Sequence, residues 1–217
     1  MGLIQSVPRL SGHRRIPTGV KIAFTAFLAV LVPEYLRYYG PANFLWFCDI
    51  ALLLTLVALW TESSFLASMQ LVAVFLGQIV WSADLLCRLT TGKHLIGWTH
   101  YMFNEQVPLD IRLLSLYHGW HVFFLLWLVW RLGYDGRAWI AQSLLAWAVL
   151  PVCYFFTDPV RGLNGVFGFT GQKAQTLMPP EVYLLVVMIA YPLCVFLPSH
   201  LLFRYVIFRG RLAGTIE

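Results

Sequence analysis

Six long apolar stretches dominate this chain, at about residues 20–37, 43–60, 65–86, 111–130, 138–156 and 182–203. A helix rises about 1.5 Å per residue, so each stretch is close to the length that crosses a hydrocarbon core of about 30 Å. Backbone in lipid must satisfy its own hydrogen bonds, which apolar stretches of this length do as helices. Composition agrees: 59% of residues are hydrophobic and 12% charged, about half the charged share of an ordinary soluble domain. The expected fold is all-α, a six-transmembrane-helix bundle forming a single integral membrane domain over residues 1–217.

The links constrain the packing. Gly40-Pro41 makes a turn, and Thr61-Glu62-Ser63-Ser64 is short enough to make spans two and three antiparallel neighbours. Arg131–Arg137, with Gly133 and Gly136, forms another tight turn. Pro33 is expected to kink or end the regular part of span one, and Pro192 and Pro198 to interrupt span six. Two connections are longer. Leu89 to Asp110 mixes His94, Trp98, His100, Tyr101, Met102 and Phe103, which suits an interfacial segment or lid. Thr157 to Pro180 is rich in Gly and Pro, yet Gly162 to Phe169 is apolar enough to fold back onto the bundle.

An even number of spans puts both termini on one side. That side collects Arg9, Arg14, Arg15, Lys21, Arg131, Arg137, Arg204, Arg209 and Arg211, nine of the fifteen basic residues. Arg37, Arg88, Lys93, Arg112, Arg161 and Lys173 fall on the other. Cytoplasmic loops carry the excess of Lys and Arg, so residues 1–19 read as a cytoplasmic basic N-terminus and 204–217 as a cytoplasmic tail. The basic start precedes an apolar run without a small-residue cleavage site, so that run is expected to stay as span one. Met1-Gly2-Leu3-Ile4-Gln5-Ser6 fits a myristoylation pattern short enough to arise by chance. The chain reads as a multi-pass protein of the plasma membrane, or of the inner membrane in a bacterium. Its net charge of +5 is explained by basic residues at helix ends facing lipid headgroups, not by nucleic acid. Membrane lipids are the expected partners. Cys48, Cys87, Cys153 and Cys194 show no CxxC spacing and read as small apolar packing residues.

Ionisable groups inside a bilayer are costly and point to function by default. Leu116–Trp127, the outer half of span four, carries His118 and His121 three residues apart, near one helix face. Counting inward at about 1.5 Å per residue, Asp49 lies about 9 Å deep, His118 about 10 Å, Gln78 about 12 Å and His121 about 15 Å. A buried carboxylate favours an imidazolium partner. Asp49 is therefore expected to face His118 or His121 in an outward-opening cavity lined by spans two, three and four. Trp46, Gln78, Trp81, Tyr154 and Asn164 are the expected cavity residues. The bland alternative is that these groups are interhelical hydrogen-bond glue.

Three chemistries use such residues. Two imidazoles and a carboxylate form the ligand set of some metal sites, but this is HxxH without a second histidine motif. No metal and no cofactor is expected. Acyl transfer or ester hydrolysis needs a nucleophile, a base and an orienting group. His121 or His118 would be the base and Asp49 the orienting acid, with Ser115, Cys48 and Ser82 as nucleophile candidates. Transport needs a polar path through both leaflets, and the cytoplasmic half offers only His200.

Asn43-Phe44-Leu45-Trp46-Phe47-Cys48-Asp49-Ile50 and Leu116-Tyr117-His118-Gly119-Trp120-His121 resemble two motifs of the androgen-induced and androgen-dependent TFPI-regulating proteins. Those are six-span intramembrane hydrolases of lipid esters with a threonine nucleophile and a histidine. The resemblance implies that His121 is the functional histidine. It also places Trp46 where the threonine would stand, so the nucleophile has moved, to Cys48 or Ser115, or hydrolysis has been lost. Asn164-Gly165-Val166-Phe167-Gly168 and Pro198-Ser199-His200 are similar to stretches in bacterial multi-pass membrane proteins. The leading reading is a protein that handles a lipid or acyl ester. The alternative is a non-catalytic membrane subunit or scaffold whose partners are other membrane subunits.

Overall fold

The structure, a computed structural model, describes residues 16–169 and 174–210. Arg9, Arg14, Arg15, Lys173, Arg211 and the Met1–Ser6 pattern lie outside them. The described chain is all-helical. Five segments are long and apolar enough to cross a membrane: α1 (Thr18–Tyr39), α3 (Ser64–Thr91), Leu109–Leu132, α6 (Ala138–Phe156) and Pro180–Ile207. The fourth consists of α4 (Leu109–Ser115) and α5 (Tyr117–Leu132), which meet at Leu116. The last contains α7 (Pro180–Ala190) and α8 (Leu197–Leu202). Between α1 and α3 lies α2 (Phe47–Thr61), whose 15 residues make it shorter than the other five.

Helix α3 is the central member, packed against α2, α5 and α6. Its start is capped by Ser63, whose Oγ accepts the Leu66 amide at 3.2 Å. Its end is closed by Gly92, left-handed at φ 74°, whose N–H bonds the Arg88 carbonyl. Glu62, also left-handed at φ 51°, turns the chain from α2 into α3 and holds Lys21 Nζ at 2.7 Å.

The bundle exposes large apolar side chains and buries polar ones within an apolar core. Phe123, Leu144, Phe155 and Ile189 are exposed, whereas Thr55, Ser68, Gln70, Gln78, Asp84 and His121 are buried. Lipid solvates the first set but cannot hydrogen-bond the second, so this distribution fits a multi-pass membrane protein.

Proline acts differently in the first and the last segment. Pro33 lies inside an unbroken α1; a helix in apolar surroundings keeps its remaining bonds rather than expose them. The final segment leaves α-helical geometry at Pro192, as expected, through a wide π turn at Tyr191–Phe196 that accommodates the lost proline donor without ending the helix. Pro198 lies inside α8, and a second π turn follows at Phe203–Ile207. His200 is not isolated either: its Nδ1 lies 2.8 Å from the Tyr134 hydroxyl. In the same α5–α6 turn, the hydrogen-bonding Arg137 guanidinium holds the Asp135 carboxyl below the usual carboxylate range. That pair stabilises the turn above the ordinary carboxylate pKa, and its contribution disappears as pH falls through the lowered folded value.

Candidate functional site

Helix α2 brings Thr55 to the interior, α3 brings Gln78 and α5 brings His121. The Thr55 hydroxyl oxygen lies 3.1 Å from His121 Nε2. The Gln78 amide nitrogen, Nε2, lies 3.1 Å from His121 Nδ1. Thr55 and His121 are fully enclosed and Gln78 is 2% exposed. Phe24 of α1, Trp120 and Tyr117 surround the imidazole, with ring centroids 6.1–6.2 Å away. The arrangement is a hydroxyl, an imidazole and an orienting amide in series, each from a different helix.

The proton positions in this series are coupled. Gln78 carries both a donor and an acceptor at its tip. If its N–H faces Nδ1, the proton sits on Nε2 and Thr55 accepts. If its carbonyl faces Nδ1–H, Nε2 is a lone pair and Thr55 donates. A glutamine supports both tautomers, where a carboxylate would fix the second.

The other expected residues fall elsewhere. Asp49 is buried but does not pair with either histidine; its carboxylate accepts from Tyr117 Oη at 3.0 Å and Asn43 Nδ2 at 2.8 Å. Helix rotation explains the correction, because Tyr117 and His118 share a level but point about 100° apart. His118 donates Nδ1–H to the Ser115 carbonyl at 2.8 Å and stacks between Tyr117 and Trp81. His118 and His121 thus have separate partners and do not converge on a shared ligand.

None of the three nucleophile candidates hydrogen-bonds a histidine nitrogen; Ser82 Oγ is buried without a hydrogen-bond partner among the described residues. Ser115 Oγ lies 2.7 Å from Tyr35 Oη and donates to the Ile111 carbonyl at 2.9 Å. Cys48 is a free, partly buried thiol in the first turn of α2. The expected cavity residues do not form one cavity. Gln78 and Trp81 are buried in the bundle. Trp46 stands at the junction of a 3₁₀ turn, Pro41–Leu45, with α2. Tyr154 reaches Glu181 at 3.4 Å.

Asn164 turns out to be a clasp. It sits in the left-handed region at φ 51°, which asparagine tolerates better than most residues. Its Oδ1 accepts the Phe47 amide at 3.0 Å and its Nδ2 donates to the Leu45 carbonyl at 2.7 Å. Helix α2 has no side-chain cap from its own N-cap residue, Trp46, so a residue 117 positions away supplies it. The apolar loop folds back as expected, with Leu163 and Val166 buried beside Asn164. Asn164→Ala is expected to lower stability by about 1–3 kcal/mol, as for a lost cap with a buried amide left unpaired. Chemical unfolding in detergent micelles measures it, and a shift within error would remove the clasp.

Sequence reasoning missed Thr55, a single hydroxyl in the apolar run Ala51-Leu52-Leu53-Leu54-Thr55-Leu56-Val57-Ala58. Depth was the available signal. Thr55 is six residues beyond Asp49, about 9 Å deeper, which brings it near the level estimated for His121. No protein-family model, no curated protein and no solved structure matches the chain.

Proposed function

We propose that the chain crosses the membrane six times, with both termini cytoplasmic, and processes a lipid or acyl ester with Thr55 as nucleophile, His121 as base and Gln78 as orienting group. The observation that carries this reading is the 3.1 Å approach of Thr55 Oγ1 to His121 Nε2 with Gln78 on the opposite ring nitrogen. Helix α2 completes the six. Alone it is about 22 Å long, and the five-residue 3₁₀ turn before it adds about 10 Å, together near the thickness of a hydrocarbon core. The orientation rests on the excess of Lys and Arg on the terminal side.

In the step proposed, the Gln78 amide is turned with its carbonyl toward Nδ1–H, which leaves His121 Nε2 a lone pair; Thr55 Oγ attacks the ester carbonyl carbon and its proton passes to Nε2. The tetrahedral intermediate collapses, breaking the C–O bond, and the leaving alcohol takes the proton back from His121. Water, deprotonated by His121, then releases the acid from Thr55; a second alcohol in place of water makes the reaction a transfer. This keeps the histidine implied by the resemblance to the intramembrane lipid-ester hydrolases. It moves the threonine from the position of Trp46 to one nine residues further on.

A second reading is favoured by the complete enclosure of Thr55 and His121: the series would be an interhelical lock in a non-catalytic subunit. Purified wild type, Thr55→Ser and Thr55→Ala with a panel of lipid esters separate the two. The ester reading expects turnover by wild type, a reduced rate for the serine variant and a loss of about 10³-fold or more for alanine. Equal rates for wild type and alanine would exclude Thr55 as nucleophile. No turnover by any of the three, with Thr55→Ala destabilised, would support the lock.

A further inference from the structure

A cleft of about 410 Å³ runs along the outer face of the bundle between α1 and the α4–α5 segment. Its wall is apolar: Phe27 and Val30 on one side, Leu113 and Leu114 on the other, with Trp120 included. Val30 is 57% and Leu113 56% exposed, so in a membrane these walls meet lipid. Trp120 meets Phe27 edge to face at 5.1 Å.

One end is polar. Glu34 and Asp110 line the cleft, and Arg37 bridges them, at 2.6 Å from Glu34 and 3.6 Å from Asp110. Glu34 lies five residues before the end of α1 and Asp110 at the start of α4, which places this rim at the membrane–water interface. Two carboxylates against one guanidinium leave one negative charge in excess. The next cation on α4, Arg112, is directed to the Met102 carbonyl at 3.3 Å. From Glu34 to Phe27 the groove descends about 10 Å along α1.

From this charge pattern we propose that the groove seats one chain of a zwitterionic phospholipid with a primary ammonium headgroup. The ammonium lies at Glu34 and Asp110, the phosphate at Arg37 and the acyl chain along Val30 and Leu113 down to Trp120. An anionic headgroup would place its charge against the surplus carboxylate and is disfavoured. The proposal rests on the membrane reading of the fold and not on chemistry at Thr55, so either can fail alone.

The test uses full-length protein in mixed nanodiscs of phosphatidylethanolamine and phosphatidylglycerol with matched chains. Lipid retained after extraction is read by native mass spectrometry. Wild type is expected to retain phosphatidylethanolamine over phosphatidylglycerol by about fivefold, the effect of one charge near a membrane surface. The exposed double variant Glu34→Gln/Asp110→Asn leaves Arg37 as the rim's charge, and its preference is expected to invert. Leu113→Trp fills the groove with the rim intact and is expected to abolish retention of either lipid. Equal retention of both lipids by wild type, an unchanged preference in the double variant, or undiminished retention in Leu113→Trp would each overturn the proposal.

Discussion

If the proposed ester chemistry holds, turnover in His121→Ala is expected to fall by about 10²–10⁴-fold, the range contributed by a positioned general base. Stability falls with it. His121 is enclosed and both of its nitrogens are engaged. Truncation leaves the Thr55 hydroxyl and the Gln78 amide without their shared partner and opens a cavity between three helices. Each unpaired buried group costs about 1–3 kcal/mol and the cavity adds more, for a total of about 3–5 kcal/mol. A drop in activity alone therefore would not identify a base. Two variants at Gln78 supply the distinction. Gln78→Leu removes the bond to Nδ1 and so the control of the tautomer; the expected result is a slower reaction at unchanged substrate affinity. Gln78→Glu places an acceptor on Nδ1 and holds Nε2 as a lone pair toward Thr55, so it is expected to retain more activity than Gln78→Leu even where it is less stable. The measurement is initial rate and KM at matched folded fractions. If Gln78→Glu and Gln78→Leu lose rate in proportion to their loss of stability, the series is a lock and not a catalytic relay.

Much of the scaffold was legible because lipid imposes a strong pattern. The apolar run at 138–156 coincides with α6 at both ends, and the turns before and after it carry the expected glycines. Burial was legible too: Asp49, Gln78 and His121 are all buried polar groups on helices that meet. What depth cannot supply is rotation about each helix axis. Asp49 was assigned to a histidine, but the residue facing it is Tyr117, one position earlier on α5. The error ran the other way for His121, whose partner Thr55 was hidden because threonine barely perturbs a hydropathy pattern. The preference for a carboxylate partner also drew attention to Asp49 and away from Gln78, whose uncharged amide suits a site that lipid surrounds. Trp46, Tyr154 and Asn164 were grouped with the site because they lie near one surface. The fold spends them on the entrance to α2, on Glu181 and on capping.

The connection after α3 depends on Asp84, and Asp84→Ala is expected to release it. Its two oxygens are fully used. Oδ1 accepts the amides of Ile96 at 2.8 Å and Gly97 at 3.1 Å; Oδ2 accepts the Thr99 amide at 2.8 Å and its hydroxyl at 2.6 Å. Residues 89–110 were expected to form an interfacial segment or lid. The structure makes the carboxylate its anchor: α3 runs on to Thr91, and the chain after Gly92 hooks back over the helix end. His94 and His100 are drawn into contact by the same hook, their ring centroids 3.9 Å apart. Losing the anchor removes the carboxylate that three backbone amides share and leaves the Thr99 hydroxyl against His94 Nδ1 at 3.2 Å. Because the connection lies at the bundle's edge, the cost is taken as local opening and not as global unfolding. Hydrogen exchange reads that directly: protection at Ile96, Gly97 and Thr99 is expected to fall by about 10²–10³-fold, with the cores of α5 and α6 unchanged. Asp84→Asn keeps one carbonyl acceptor and should fall between wild type and alanine. Thr99→Val removes the hydroxyl alone and should cost least. Exchange at Ile96–Thr99 in Asp84→Ala matching wild type would mean that the aromatic contacts of Trp98 and Phe103, and not the carboxylate, hold the connection in place.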